Sequence, residues 1–235
     1  MNLVGIDFSL NSPSFCCLKD NHYIWGSLTR SDRSGDSLCK NPKKPFFYLS
    51  SHPDFLVRFL EKTSLPESYS ERERAKNGYF LEIVDTLWGL VKEVMGDEEY
   101  FVAMEGLSFS SNGNSLIDIS MATALLRDRI IKEIGSERFF VFSPTSIKKF
   151  ALKGNAKKDE LYYALCEQKE DGTNLSELTN MLESNKIEWI TPSKVVNKPI
   201  DDIVDATWIN KFLKNNLEEF YGIERNFERS FTAVL

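Results

Sequence analysis

Two short apolar runs that each arrive at an acid set the strongest limit on what this chain can fold into. Leu3–Phe8 (LVGIDF) contains Asp7, and Tyr100–Met104 (YFVAM) stops at Glu105. Apolar runs of this length, bounded by turn residues, fit buried strands. The first alternates least and is the most apolar, so it belongs at the centre of a sheet covered on both faces.

The surrounding pattern extends this reading. Pro13–Leu18 and His22–Leu28 are two further strand-like runs. Asn11-Ser12-Pro13 and Lys19-Asp20-Asn21 separate them with turn chemistry. A three-stranded meander should therefore open the domain. Residues 29–50 read as a long polar loop, from which Phe46–Leu49 either returns to the body or forms an exposed aromatic patch. His52–Glu61 has weak helical patterning. Glu71–Val94 is a longer helix, with Phe80, Ile83, Val84, Leu87, Leu90, Val91 and Val94 near helical period. After the Glu105 strand come a Ser/Asn/Gly loop, a helix over Ser115–Ile134 and a strand over Phe139–Phe142. Ser143-Pro144 then offers a helix start, with Ser as cap and Pro tolerated in the first turn. Another helix spans Lys157–Glu167, and a short one lies near Leu175–Leu182. A final helix opens after Pro199 and runs to about Leu217. The order predicts an α/β fold, a mixed five-stranded sheet flanked by helices. Residues 1–235 form one domain in this reading, with insertions at 29–50 and 167–199.

Composition is that of a soluble globular chain, with 42% hydrophobic and 27% charged residues in a length of 235. The 17 phenylalanines point to a well-filled aromatic core. Net charge is -6, a poor overall signature for a nucleic-acid binder. The distribution matters more. Between Ser143 and Lys158 lie Lys148, Lys149, Lys153, Lys157 and Lys158 with no acid among them. Taking those five positive charges from -6 leaves the remainder near -11. A basic arc on an acidic body can still grip a phosphate backbone, although a lysine run is more often a solvated surface. Cys16, Cys17, Cys39 and Cys166 have no zinc-site spacing. They read as thiols of a reducing compartment. No segment approaches a membrane span, and no secretory leader is visible. A cytoplasmic or nucleoid-associated protein is expected.

Asp7, Glu105, Asp202 and Asp205 are the candidate reactive set. The last two lie three apart in PIDDIVDATWINKFL, about 60° apart around a helix. Four carboxylates at one sheet edge would repel one another unless cations joined them. Two Mg²⁺ ions about 4 Å apart, with Mn²⁺ as a substitute, would suit such an all-oxygen set and phosphodiester hydrolysis. Each acid alone has a plainer reading: Asp7 as a turn cap, and Asp201, Asp202 and Asp205 as an acidic first turn that favours the helix dipole. The two histidines, His22 and His52, lack metal-like spacing and read as surface or edge residues. No phosphate-binding G-x-x-x-x-G-K-[ST] loop is present.

At these residues the chain resembles the RuvC family of Holliday-junction resolvases, within the RNase H-like superfamily. VGIDFSLNSPSF is similar to the family's first-strand motif, and FVAMEGLSF to its fourth-strand motif. SPTSIKKFALKGNAKKDEL is similar to the proline-led helix and glycine loop, with G-x-A-x-K on Gly154, Ala156 and Lys158. DDIVDATWI is similar to the last helix with its paired acids. The resemblance covers about a third of the chain, in the family's order. It implies an RNase H-like fold with metal ligands Asp7, Glu105, Asp202 and Asp205, and Lys158 at the scissile phosphate. It implies a homodimer that nicks four-way junctions symmetrically through metal-activated water. Phe109, with Asn112 beside it, would help open the junction, and Lys148, Lys149, Lys153 and Lys157 would hold DNA. Small residues Ser120, Ala122 and Ala124 fit either a dimer contact or packing on the sheet. The sequence departs from the family in lacking a glycine soon after Asp7, in its two insertions and in its acidity. Those departures fit a divergent member encoded by a phage or virus and working in the infected host. Two other readings stay open: a nuclease of flaps or RNA–DNA hybrids, and a non-catalytic nucleic-acid-binding or scaffold protein.

Overall fold

The computed structural model describes residues 1–31, 35–42, 44–62, 64–107 and 113–232. Its centre is one six-stranded sheet: β1 (Leu3–Asp7), β2 (Ser14–Lys19), β3 (His22–Ser31), β4 (Phe55–Glu61), β5 (Phe101–Glu105) and β6 (Phe139–Phe142), ordered β4-β3-β2-β1-β5-β6. The first three strands form the expected antiparallel meander. β5 joins β1 in parallel and β6 joins β5 in parallel. The most apolar strand is thus central, as its pattern requires.

Helices cover both faces. On one lie α3 (Tyr69–Met95) and α4 (Gly113–Ile134). On the other lie α5 (Pro144–Ala151), α6 (Lys158–Cys166), α7 (Leu175–Trp189) and α8 (Ile200–Thr232). Alternation along the strands divides the core between the faces. Val4 and Ile6 pack toward α3 and α4, whereas Leu3 packs toward α8. Cys16 and Cys17 likewise enter opposite cores. Ala122 of α4 is fully buried on the helix face that packs on the sheet, so that small residue serves sheet packing.

Gly5 decides how closely α8 can approach the sheet. A Cβ there would stand 2.5 Å from the Asn210 backbone N and nearer still to the Ala206 carbonyl. Only a residue without a side chain allows that contact. α8 is then pinned from several directions. Asn210 Nδ2 donates to the carbonyls of Leu3 (3.1 Å) and Cys16 (2.8 Å). Trp25 Nε1 donates to Thr207 Oγ1 at 3.1 Å, and Trp208 Nε1 donates to the Leu161 carbonyl at 3.1 Å.

The structure departs from the sequence expectations at several points. The sheet has six strands instead of five, because β3 runs on to Ser31 and β4 pairs with it in parallel. Residues 55–61 form that strand and not a helix. Their aromatic and β-branched content suits the open edge that the longer β3 leaves, and tertiary pairing overrides weak helical periodicity. Nor is 29–50 a plain loop. It contains the end of β3 and two single-turn helices, α1 (Gly35–Cys39) and α2 (Pro45–Leu49). Phe46 and Leu49 of α2 are buried, while Phe47 stays outside. α7 and α8 also outrun their expected ends. No described helix is long and apolar enough to cross a membrane.

Candidate active site

Parallel pairing of β1 with β5, in register at Ile6–Met104, puts Asp7 and Glu105 side by side at the same strand-end edge. The close crossing at Gly5 then carries the first two turns of α8 over that edge, so Asp202 and Asp205 face Asp7. α5 and α6 close the side. Together these elements line a cavity of about 440 Å³ whose walls include Asp7, Glu105, Lys148, Lys158, Lys198, Asp202 and Asp205. A crevice outside strand ends is where sheets flanked by helices commonly hold ligands.

The electrostatics are those of crowded acids. Burial pushes Asp7 well above the usual carboxylate range, with Asp205, Asp202 and Glu105 adding to the rise. Glu105 is pushed up to about 7 by burial and then by Asp205. Asp202 rises to about 6 through burial and the neighbouring Asp201. Burial also raises Asp205, against the opposing pull of Lys158. Lys158 Nζ lies 2.8 Å from Asp201 Oδ2, 3.1 Å from Asp205 Oδ2 and 3.9 Å from Asp202 Oδ1. Burial works against its charge, but Asp205 and Asp201 outweigh that and raise its pKa.

A divalent cation suits these residues on a structural ground. Asp202 Oδ2 is buried without a hydrogen-bond partner. A carboxylate oxygen left so is costly unless a cation meets it. The acids would serve as hard oxygen ligands, and Lys148 and Lys158 line the same cavity.

The raised carboxyls have a consequence for stability. A carboxyl whose folded pKa exceeds its unfolded value makes the folded state bind more protons between the two values, so stability falls as pH rises through that window. For Glu105 the window runs from 4.5 to about 7. In EDTA, Glu105→Gln should therefore gain on the wild type between pH 5 and pH 8. After discounting for partial exposure the gain is about 1–2 kcal/mol, or roughly 2–8 °C in Tm. Thermal melts of both proteins at the two pH values check this. A gap that narrows as pH rises would refute the crowding of acids.

Not every residue singled out in the sequence reaches the cavity. Lys148 and Lys158 line it. Lys149 is exposed on α5. Lys153 pairs with Glu160 at 2.5 Å, and the Lys157 backbone N–H donates to Glu160 Oε2 at 2.8 Å, which caps α6. Ser143 stands at the N-cap of α5 without a side-chain capping bond. Phe109 and Asn112 lie outside the described residues. Two groups outside the candidate reactive set stand against these acids: Asp201, buried at 6% exposure beside the cavity, and Lys198, which lines it and pairs with Asp202. Their signal was the i, i+3 and i, i+4 spacing of Lys198 to Asp201 and Asp202.

A second cluster lies elsewhere. His52, Asp54 and Glu177 each offer a ligand atom, all within 4.8 Å of one another, and they could coordinate a single metal ion. In the sequence His22 and His52 have no metal-like spacing. Chain folding brings His52 Nε2 to 3.4 Å from Glu177 Oε2, and His22 Nε2 to 2.8 Å from Asp54 Oδ1. The Asp54 backbone N–H donates to His52 Nδ1 at 3.2 Å, so hydrogen bonds already satisfy this group.

Sheet order, flanking helices and insertions define an RNase H-like fold. No family model matches the sequence, and no curated protein matches it. Among solved structures, the chain is similar to Thermus thermophilus RuvC, at 14% identity over 92% of this chain and 96% of that one, with a TM-score of 0.40. It is similar to T. thermophilus RuvC in complex with Holliday junction substrate, at 14% identity over 91% and 94%, TM-score 0.41. It is also similar to the yeast mitochondrial Holliday junction resolvase Ydc2, at 12% identity over 88% and 75%, TM-score 0.41.

Proposed function

We propose that this chain is a Mg²⁺-dependent, structure-selective DNA endonuclease that resolves four-way junctions. The observation that carries the reading is the meeting of Asp7, Glu105, Asp202 and Asp205 from three distant parts of the chain in one cavity walled by Lys148, Lys158 and Lys198. Acids that hold cations and lysines that meet a phosphate suit metal-assisted phosphodiester cleavage. Two divalent cations, when bound, would supply Lewis acidity for water and for the leaving oxygen. The protein's own part is to fix the ligands on rigid elements. Asp7 and Glu105 sit on strand ends, and Asp202 and Asp205 sit on a helix that Gly5 and Asn210 hold against the sheet. Lys158 orients the phosphate and offsets charge that develops on it.

In this reading residues 1–235 act as one nuclease domain, with 29–50 and 167–199 as insertions, and two copies act on one symmetric substrate. Ile117, Met121 and Leu125 lie exposed at four-residue intervals along α4 and supply an apolar stripe for pairing.

The deciding experiment offers an end-labelled four-way junction beside linear duplex, flap and RNA–DNA hybrid, with Mg²⁺ or with EDTA. Paired symmetric nicks on the junction alone, and only with Mg²⁺, are expected. Preference for flaps or hybrids would reassign the substrate, and binding without any cleavage would point to a scaffold.

The basic arc carries its own expectation. Lys148 lines the cavity and lowers Glu105 electrostatically, and Lys149 stands beside it on α5. Replacing both with Ala should weaken junction binding whatever the DNA sequence, and should reduce the salt slope by roughly 1–2. Binding measured from low to moderate salt tests this, and an unchanged slope would mean that neither lysine meets DNA.

A further inference from the structure

Asp201 stands apart from the other acids of α8. On a regular helix Asp201 and Asp202 flank Asp205, about 40° and 60° away on opposite sides. Asp202 and Asp205 line the cavity, whereas Asp201 does not. One oxygen, Asp201 Oδ2, receives both lysines: Lys158 Nζ at 2.8 Å and Lys198 Nζ at 3.1 Å. Both lysines line the cavity and keep about half of their side-chain surface exposed, at 50% and 52%. Both also touch acids of the cation site, Lys158 at Asp205 and Lys198 at Asp202. An ammonium group and a divalent cation therefore compete for the same carboxylates.

We propose that Asp201 is a positioning residue that anchors Lys158 and Lys198 at the cavity wall, so that Asp202 and Asp205 can pass to a cation without expelling either lysine. The inference rests on the metal-binding reading above. Without Asp201 the ion pairs left to the two ammonium groups, among the described residues, are those with Asp202 and Asp205, and they compete harder with the cation. Asp201 Oδ1 is buried without a hydrogen-bond partner. The rival role is therefore that of a direct cation ligand, and the two roles give opposite double-mutant behaviour.

The test is Mg²⁺ titration calorimetry, with the Mg²⁺-induced rise in Tm, on the full chain. Wild type, Asp201→Asn, Lys198→Met, the Asp201→Asn/Lys198→Met double variant, Asp202→Asn and Asp202→Asn/Lys198→Met are compared. Lys198→Met should bind Mg²⁺ about tenfold more tightly, because one competing charge is gone. Asp201→Asn should bind it about five- to tenfold more weakly, and adding Lys198→Met should restore at least wild-type affinity. Asp202→Asn should lose binding that Lys198→Met does not restore. An Asp201→Asn loss that persists in the double variant would make Asp201 a ligand and overturn the inference, as would Mg²⁺ affinities unchanged by either substitution. A wild type that binds no Mg²⁺ would overturn the metal reading itself, an outcome distinct from the other two.

Discussion

Asp7→Asn or Glu105→Gln should lower Mg²⁺-dependent junction cleavage by about 10³-fold or more, while leaving the protein folded and able to bind DNA. Each substitution keeps the side-chain volume and removes one anionic ligand from a set that must hold doubly charged ions. Loss of about 4 kcal/mol of transition-state stabilisation corresponds to that factor. Stability should move the other way. Asp7 and Glu105 are both held above the usual carboxylate range by burial and by neighbouring acids. At pH 8 without metal, a neutral amide in either place relieves repulsion, so Tm in EDTA should equal or exceed that of the wild type. Single-turnover cleavage of a labelled junction, paired with thermal melts, checks both halves. Near-normal cleavage by both variants would remove Asp7 and Glu105 from the chemistry.

Gly5→Val should do damage of a different kind. Its side chain would run into the backbone of Ala206 and Asn210, and neither atom can move without the whole of α8. Forced overpacking of a well-filled core costs about 3 kcal/mol, which corresponds to a fall of roughly 6–12 °C in Tm for a chain of this length. The displaced helix also carries Asp202 and Asp205 away from Asp7, so Mg²⁺ should protect the variant much less than it protects the wild type. Melts with Mg²⁺ and with EDTA measure both effects. A variant with wild-type Tm and a wild-type response to Mg²⁺ would show that the β1–α8 contact does not set the site.

These three substitutions also separate what was legible in the sequence from what was not. The acids at strand ends could be found because a buried strand has little reason to stop at a charge. The lysine arc could be found because no acid interrupts it. Which lysines serve the cavity could not. Lys148 and Lys158 line it, while Lys153 is tied to Glu160, a distinction set by the turn between α5 and α6. Gly5 gave no signal of its own, since its demand comes from a helix about 200 positions later. β4 was hidden for a similar reason: a short mixed apolar run takes its conformation from the edge that awaits it, and β3 supplies that edge.

By itself the sequence determined the central strands and the main helices and marked four acids as candidates, because periodicity and an acid at the end of an apolar run are local properties of a run of residues. Only the tertiary structure decided the sixth strand, the grouping of Asp201 with Lys158 and Lys198, and the meeting of His52 with Asp54 and Glu177. Each of these depends on distances between segments far apart in the chain, which packing sets and local pattern does not encode.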